Sequence, residues 1–552
     1  MMKSALPALL ALCFGTSHAA TNASQVTTSL TMVADQALEV RYDVPPGCTR
    51  LDFINSGIEP AAAATMRAEW KALDDCATVD AKGVTLTGPA CTSARLRVPA
   101  SNESLDRVYP WAQPLEPGLF SHTSAFAVTP SCGPVQWRFA MPGGAVVVDG
   151  KVERERATRS AATSDIGYLA VVFLPNGADG RTHVDASMPA DRRYFLADTT
   201  QALVRHFREA YPGIAYLPPF TVAIAAPDAN NFGGDVAKRT TMRLMLPPLS
   251  NADVAADIHK FIAHENGHML QRDVEHDRWR ADRNTIMEGG ADFISWNAAS
   301  RLGWYTEARA SAQAALMING CLAELGGKNW QQVSNREWGR IPYHCGMTLH
   351  LMGLAGRSTE RRPERLLRDY YLAVSKGGAT DFAQALECGA LPGCTSRWIA
   401  RALGPDLPFA AVVAEFAAET GLFTPATTWS EDQVRGVARG TFNQLMANDC
   451  KGALDVNHYQ NAAGIATITT CATLRPGMVI NSAGGKNLFT DIAGLRYVID
   501  TCKAEGKVKL GVKNGTDIEL ACPATLGALP VLYNINNEKL FARLGLFQAK
   551  AR

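Results

Sequence analysis

His264-Glu265-Asn266-Gly267-His268 is the stretch on which the reading of this chain turns. On a helix, residues four apart share one face, so the two imidazoles can hold a single divalent cation. Glu265 lies beside them, within reach of a water at that cation. Upstream, Ile258, Phe261 and Ile262 recur at helical spacing and supply a buried side. Two histidines do not complete a site. A third histidine six residues further on is one solution, but position 274 is Val, and Gln271 stands where that pattern has a glycine. His276 sits among Asp273, Glu275 and Asp277 and reads as solvated. The other solution is a carboxylate on the next helix. Met287-Glu288-Gly289-Gly290-Ala291-Asp292 supplies it, with Glu288 following His268 by 288 − 268 = 20 positions. Gly289 and Gly290 allow that helix to approach the first closely. The competing reading of Glu288 is an acid in a first helical turn, favoured by the helix dipole. Asp292, one turn on, can orient a ligand histidine or be a surface acid.

With Glu288 inside Glu-Gly-x-Ala, the chain resembles the gluzincin metallopeptidases. The resemblance implies one Zn2+ ion held by His264, His268 and Glu288, with Glu265 as general base. Downstream, Ile341-Pro342-Tyr343-His344-Cys345-Gly346 is similar to the gluzincin Pro-Tyr-x-x-Gly segment. That implies Tyr343, at the start of a helix from Met347 to Leu354, as an oxyanion donor; a buried structural tyrosine is the alternative. His344-Cys345 replaces the family's charged pair, and Cys345 can pair with Cys321. Phe232-Gly233-Gly234-Asp235-Val236-Ala237 resembles the edge-strand segment of the PDZ-bearing glycyl aminopeptidases. Gly233, Gly234 and Asp235 are therefore candidate substrate-binding residues. The family's acid for the substrate amine falls one position after Asp235. An edge strand there can pair with an extended peptide. Leu474-Arg475-Pro476-Gly477-Met478-Val479-Ile480, then a Gly484-Gly485 turn, resembles a bacterial PDZ segment, with Met478 in place of the usual Asp.

Around this centre, 552 residues allow several domains. Lys3, the apolar run Ala5 to Phe14 and Ser17-His18-Ala19 form a secretory signal, too short to span a bilayer. Of 13 cysteines, removal of Cys13 with the signal leaves an even set. In an oxidising compartment these read as disulfides, with local spacing suggesting Cys76–Cys91, Cys388–Cys394, Cys450–Cys471 and Cys502–Cys522. A net charge of +1 with interspersed signs gives no footprint for nucleic acid, and no later run is an integral membrane segment.

Alternating and β-branched runs mark a β-sandwich-like domain to residue 155, followed by a polar linker from Lys151 to Ser164. Strands at Tyr168–Leu174, Phe220–Ile224 and Thr240–Leu246 predict a small sheet, and Asp253 to about Phe423 reads as helix. The fold class is multidomain α+β: signal peptide 1–19, N-terminal β-domain 20–155, thermolysin-like catalytic domain 156–430 and PDZ-like domain 431–552. The expectation is a periplasmic or secreted zinc peptidase acting on a peptide or protein substrate. An inactive gluzincin-like scaffold that binds peptides is the alternative.

Overall fold

The computed structural model describes residues 25–547 apart from 34–36, 55–59, 103–110, 161–168, 179, 227–232, 335, 338, 357–361, 378, 452–455, 459–460, 466–469 and 525. The segment 1–19, expected to be a signal peptide, lies outside the described residues, as does the end of the expected linker.

The N-terminal part is a nine-stranded sheet. Its central strand, Val135–Val148, runs parallel to Val26–Val33 and antiparallel to both Lys151–Ser160 and Ala170–Leu174. Two sequence expectations change here. Lys151 to Ser160 is a strand rather than a linker: its polar residues form one arm of a hairpin turning at Asp149-Gly150, where both residues have positive φ. Ala170–Leu174 joins this large sheet rather than the small one. All five of its residues are buried, as expected for a strand flanked on both sides, by Val135–Val148 and Gly118–His122. The sheet therefore continues past the division expected at residue 155.

The small sheet has four strands in the order Thr182–Val184, Phe220–Ala225, Thr241–Leu246 and Gly233–Ala237. Alternation decides which layer each residue faces. Phe220, Val222 and Ile224 pack with Leu115, Phe120, Val147 and Val172 of the large sheet. Ala223, Met242 and Leu244 face the helices, meeting Leu203 and Phe207 of Ala190–Ala210 and Ile258 and Ile262 of the HExxH helix. Gly233–Ala237 is the edge strand, paired antiparallel to Thr241–Leu246.

The helical lobe forms as its periodicity predicts, from Ala252–Gly267 through Arg283–Arg301, Glu307–Leu325 and Ile341–Gly356 to Phe409–Thr420. Asn251 caps the HExxH helix by accepting from Val254 N at 2.9 Å. The C-terminal module follows the helix Glu431–Asp449. It is a six-stranded sheet in which Val479–Ala483 pairs with Lys507–Val512, covered by the helix Ile492–Glu505. The chain then returns to the lobe. Tyr533–Ile535 pairs with Phe423–Pro425, and Asn537–Leu544 packs into the same core as the HExxH and glutamate helices. Arg301 and Arg543 fasten this return through carbonyls of Leu544 and Ala355 at 3.0 and 2.9 Å.

Among the described residues six disulfides are formed. They comprise the four locally spaced pairs, Cys321–Cys345 and the long-range Cys48–Cys132. No described helix is long and apolar enough to cross a membrane.

Candidate metal centre

His264 lies in the last turn of the HExxH helix, and His268 is its C-cap. Both rings point at Glu288, in the second turn of Arg283–Arg301. His264 Nε2 and His268 Nε2 are 3.3 and 3.6 Å from Glu288 Oε2. A tetrahedral zinc with ligands at roughly 2.0–2.1 Å holds its donor atoms about 3.3–3.4 Å apart, so the donor set fits the ion.

The far side of each ring is also held. Asp292 Oδ1 lies 3.1 Å from His264 Nδ1 and is paired with Lys260 Nζ. Gln271 Oε1 lies 2.8 Å from His268 Nδ1, and its Nε2 donates to Met287 O at 2.6 Å. With protons on both Nδ1 atoms, both Nε2 lone pairs face the space beside Glu288. Burial would raise the Asp292 carboxyl, but Lys260 and His264 outweigh it and hold it far below its ordinary value. Asp292 is thus buried beside His264 rather than on the surface. In the sequence Gln271 stands out only as the residue replacing a glycine. Its position, three residues past the second histidine, is the signal that could have found it.

Close packing between helices brings these groups together, in a different place from where the sequence suggested. The HExxH and glutamate helices meet at Gly267, where a Cβ would lie 3.5 Å from Ala291 Cα. Gly289 faces the other way. A Cβ there would fall 2.2 Å from Gly346 Cα and C, on the helix that carries Tyr343. Gly290 borders Gln271, Tyr371 and His350. Glycine at 289 therefore sets the distance between Glu288 and Tyr343.

Tyr343 lies in the first turn of Ile341–Gly356, a helix that begins earlier than the sequence predicted. Its ring stacks on His264 with centroids 5.8 Å apart, and its hydroxyl is hydrogen-bonded to Glu288. The residue is 37% exposed at the cleft wall, yet desolvation there, then the charges of Glu288 and Glu265, hold the phenol well above its usual range, so it is a proton-bearing donor. Burial, with help from Asp235 and Glu288, pushes the Glu265 carboxyl up to about 7. His344 packs against Gly320 of the neighbouring helix and does not line the cleft. His276 is exposed, but Asp277 is buried and accepts from Trp279 N, Tyr370 and Thr380 at 2.8, 3.0 and 3.0 Å.

The centre opens into a cleft of about 720 Å³, bordered by the edge strand, whose residues include Gly234, Asp235 and Val236. Gly234 is glycine for packing reasons: a Cβ would meet Arg243 O at 2.5 Å and the Phe261 ring at 2.8 Å. Asp235 is engaged within the protein. Its Oδ1 accepts from Arg243 Nε at 2.8 Å, and its Oδ2 lies 2.9 Å from His122 Nε2 of the large sheet. Gln113 accepts from the same arginine at 2.8 Å. Burial raises the Asp235 carboxyl, but Arg243 and His122 prevail and bring it to about 2.

The edge strand ends in a tight turn closed by Thr240 N to Ala237 O at 2.9 Å. Its central residues, Lys238 and Arg239, have φ of 45° and 58°. Gly, Asn and Asp dominate such turns. For other residues the left-handed conformation costs roughly 1–2 kcal/mol each.

No protein-family model and no curated protein matches this sequence. Among solved structures, the chain overlays on an aminopeptidase N family protein from Idiomarina loihiensis with a TM-score of 0.54. The two are 12% identical, and the overlay covers 94% of this chain and 100% of the other. Yeast LTA4 hydrolase in complex with Bestatin gives a TM-score of 0.38 at 11% identity over 76% and 78% of the two chains. A variant of the M1 zinc metallopeptidase from Deinococcus radiodurans, bound to a Tyr-Ser-Ala substrate, gives 0.36 at 14% over 66% and 90%. The first overlay bears on the fold; the other two are too loose to do so.

Proposed function

We propose that this chain is an exported zinc-dependent peptidase that hydrolyses peptide bonds in its edge-strand cleft. The observation that carries the reading is the convergence of His264, His268 and Glu288 at zinc-ligand spacing, with Glu265 beside them. When bound, zinc supplies Lewis acidity that acidifies a water and polarises the scissile carbonyl. An overlay with an aminopeptidase N family protein agrees with this reading at the level of fold.

The chain's own residues then divide the work. Glu265 accepts the proton of the attacking water and delivers it to the leaving amine. Tyr343 donates its hydroxyl hydrogen bond to the oxygen on which negative charge develops. Gly233–Ala237 pairs with the extended substrate along its outer edge. Asp235 is not assigned to the substrate's α-amine, because its charge already meets Arg243 and His122. The cleft then has no requirement for a free N-terminus.

The segment Val479–Ala483, the helix Ile492–Glu505 and the hairpin Lys507–Val512 with Ile518–Ala521 follow the order of a PDZ domain. We assign residues 456–522 to that class. Disulfides at all twelve cysteines of the described chain favour export.

Glu265→Gln tests the reading. The variant should bind zinc as the parent does and lose turnover of every peptide. Normal cleavage by this variant would remove the assignment. Zinc binding without hydrolysis by the parent would favour the peptide-binding scaffold.

A further inference from the structure

We propose that Arg239 and Arg283 form a carboxylate-binding subsite, so that the preferred substrate carries an acidic group close to the scissile bond. The inference rests on the peptidase reading above and narrows its substrate class. Both arginines line the same cleft as His264, Glu265, His268 and Glu288. Arg239 and its neighbour Lys238 occupy the central positions of the edge-strand turn, both with positive φ. Asn and Gly would hold that turn without strain, yet the chain places its two longest cationic side chains there. Strain kept at the mouth of a cleft points to a use for those side chains.

The charge balance points the same way. Of the acids lining the cleft, Asp235 is engaged by Arg243 and His122, and Glu265 and Glu288 belong to the metal centre. Asp273 faces Arg283 at 3.4 Å, with both side chains about half exposed, which is a weak pair. Arg239 is fixed through Nη1 to Gln271 O at 2.9 Å, which aims the guanidinium without neutralising it. Arg272 stands next to it, and after burial the charge of Arg239 is what holds Arg272 below its ordinary value. A substrate carboxylate entering here relieves that repulsion. The planar arginines suit it, since a guanidinium meets a carboxylate through two parallel hydrogen bonds.

Two sources offer the same chemistry: an Asp or Glu side chain, or the α-carboxylate of a short peptide. The test uses the full zinc-loaded chain and matched peptides. One arm exchanges Glu for Gln at each position around the cleaved bond. The other exchanges a C-terminal acid for an amide. In one arm, kcat/KM should favour the carboxylate on the order of tenfold, and the preference should weaken as salt is raised. The arm that responds identifies the source.

Lys238→Asn/Arg239→Gly gives the turn the residues its geometry prefers. It should bring the acid-to-neutral ratio toward one, with a thermal midpoint at or above the parent's. Arg283→Gln should lower the ratio without touching the turn. A parent ratio near one in both arms overturns the inference and leaves the peptidase reading intact. So does a ratio unchanged in the variants, or equal losses on acidic and neutral peptides. A parent that cleaves no peptide removes the peptidase reading, and this inference with it.

Discussion

Replacing Gly289 by Ala adds one methyl group at the point where the glutamate helix touches the tyrosine helix. The new Cβ would lie 2.2 Å from Gly346 Cα, 2.2 Å from Gly346 C and 2.7 Å from Met347 N. All three are backbone atoms, so no side chain can swing aside. Ordinary contact begins near 3.4 Å, and 3.4 − 2.2 = 1.2 Å is the separation the two helices must gain. Overpacking of this kind costs about 1–3 kcal/mol. The functional cost is larger, because Glu288 precedes the altered residue and Tyr343 lies one turn before Gly346. Zinc tolerates ligand displacements of roughly 0.2 Å, and a misplacement of about 1 Å at a reacting centre costs on the order of a hundredfold. Zinc affinity, read by competition with a chromogenic chelator, and kcat/KM on a quenched fluorescent peptide should each fall about a hundredfold or more. Gly436→Ala serves as a control, since a Cβ at that helical position meets nothing within 4 Å. It should be neutral or stabilise by up to about 1 kcal/mol. If Gly289→Ala binds zinc and turns over like the parent, the helix contact does not set the site's geometry.

Tyr343→Phe should lower kcat by roughly ten- to a thousandfold with little change in KM, and equal kcat values would take the phenol out of the mechanism. N-acetylated peptides should be cleaved at rates comparable to their free-amine counterparts, because Asp235 is held by Arg243 and His122; strict dependence on a free amine in a mass-spectrometric digest would contradict that. Burial pushes His344 and His350 down to about 4. Each binds its proton less readily folded than unfolded, so stability falls as pH drops from the unfolded value near 6.5 toward 4, and neither contributes a slope above 6.5. The slope in that window is up to about 1.4 kcal/mol per pH unit for each residue. Denaturant unfolding of the chelated protein between pH 7 and 5 should show it, with a shallower slope for His350→Phe; identical slopes would mean that His350 is protonated in the fold.

The convergence of His264 and His268 was legible because helix periodicity is local: a spacing of four fixes both on one face before any tertiary contact is known. Glu288 was legible through its motif, and the helical lobe through its periodicity. What stayed hidden depends on pairing between distant segments. Ala170–Leu174 reads as a buried strand wherever it goes, and only its register against Val135–Val148 assigns it to the large sheet. Lys151–Ser160 looked like a linker because an edge strand with charged residues is locally indistinguishable from a polar connection. Asp235 resembled a substrate-binding acid until its cross-strand partner Arg243 and His122, from a different sheet, became visible. Gly289 was recognised as a close-approach glycine, but the helix it faces was not recoverable from spacing, because Gly346 lies 346 − 289 = 57 residues away. The return of Asn537–Leu544 to the core of the helical lobe has no local signature.

Anomalous diffraction at the zinc absorption edge, from crystals of the metal-replete protein, examines the central claim most directly. The account predicts a single peak within bonding distance of His264 Nε2, His268 Nε2 and a Glu288 carboxylate oxygen. A protein that carries zinc elsewhere, or none, while these three side chains stand as described would contradict it.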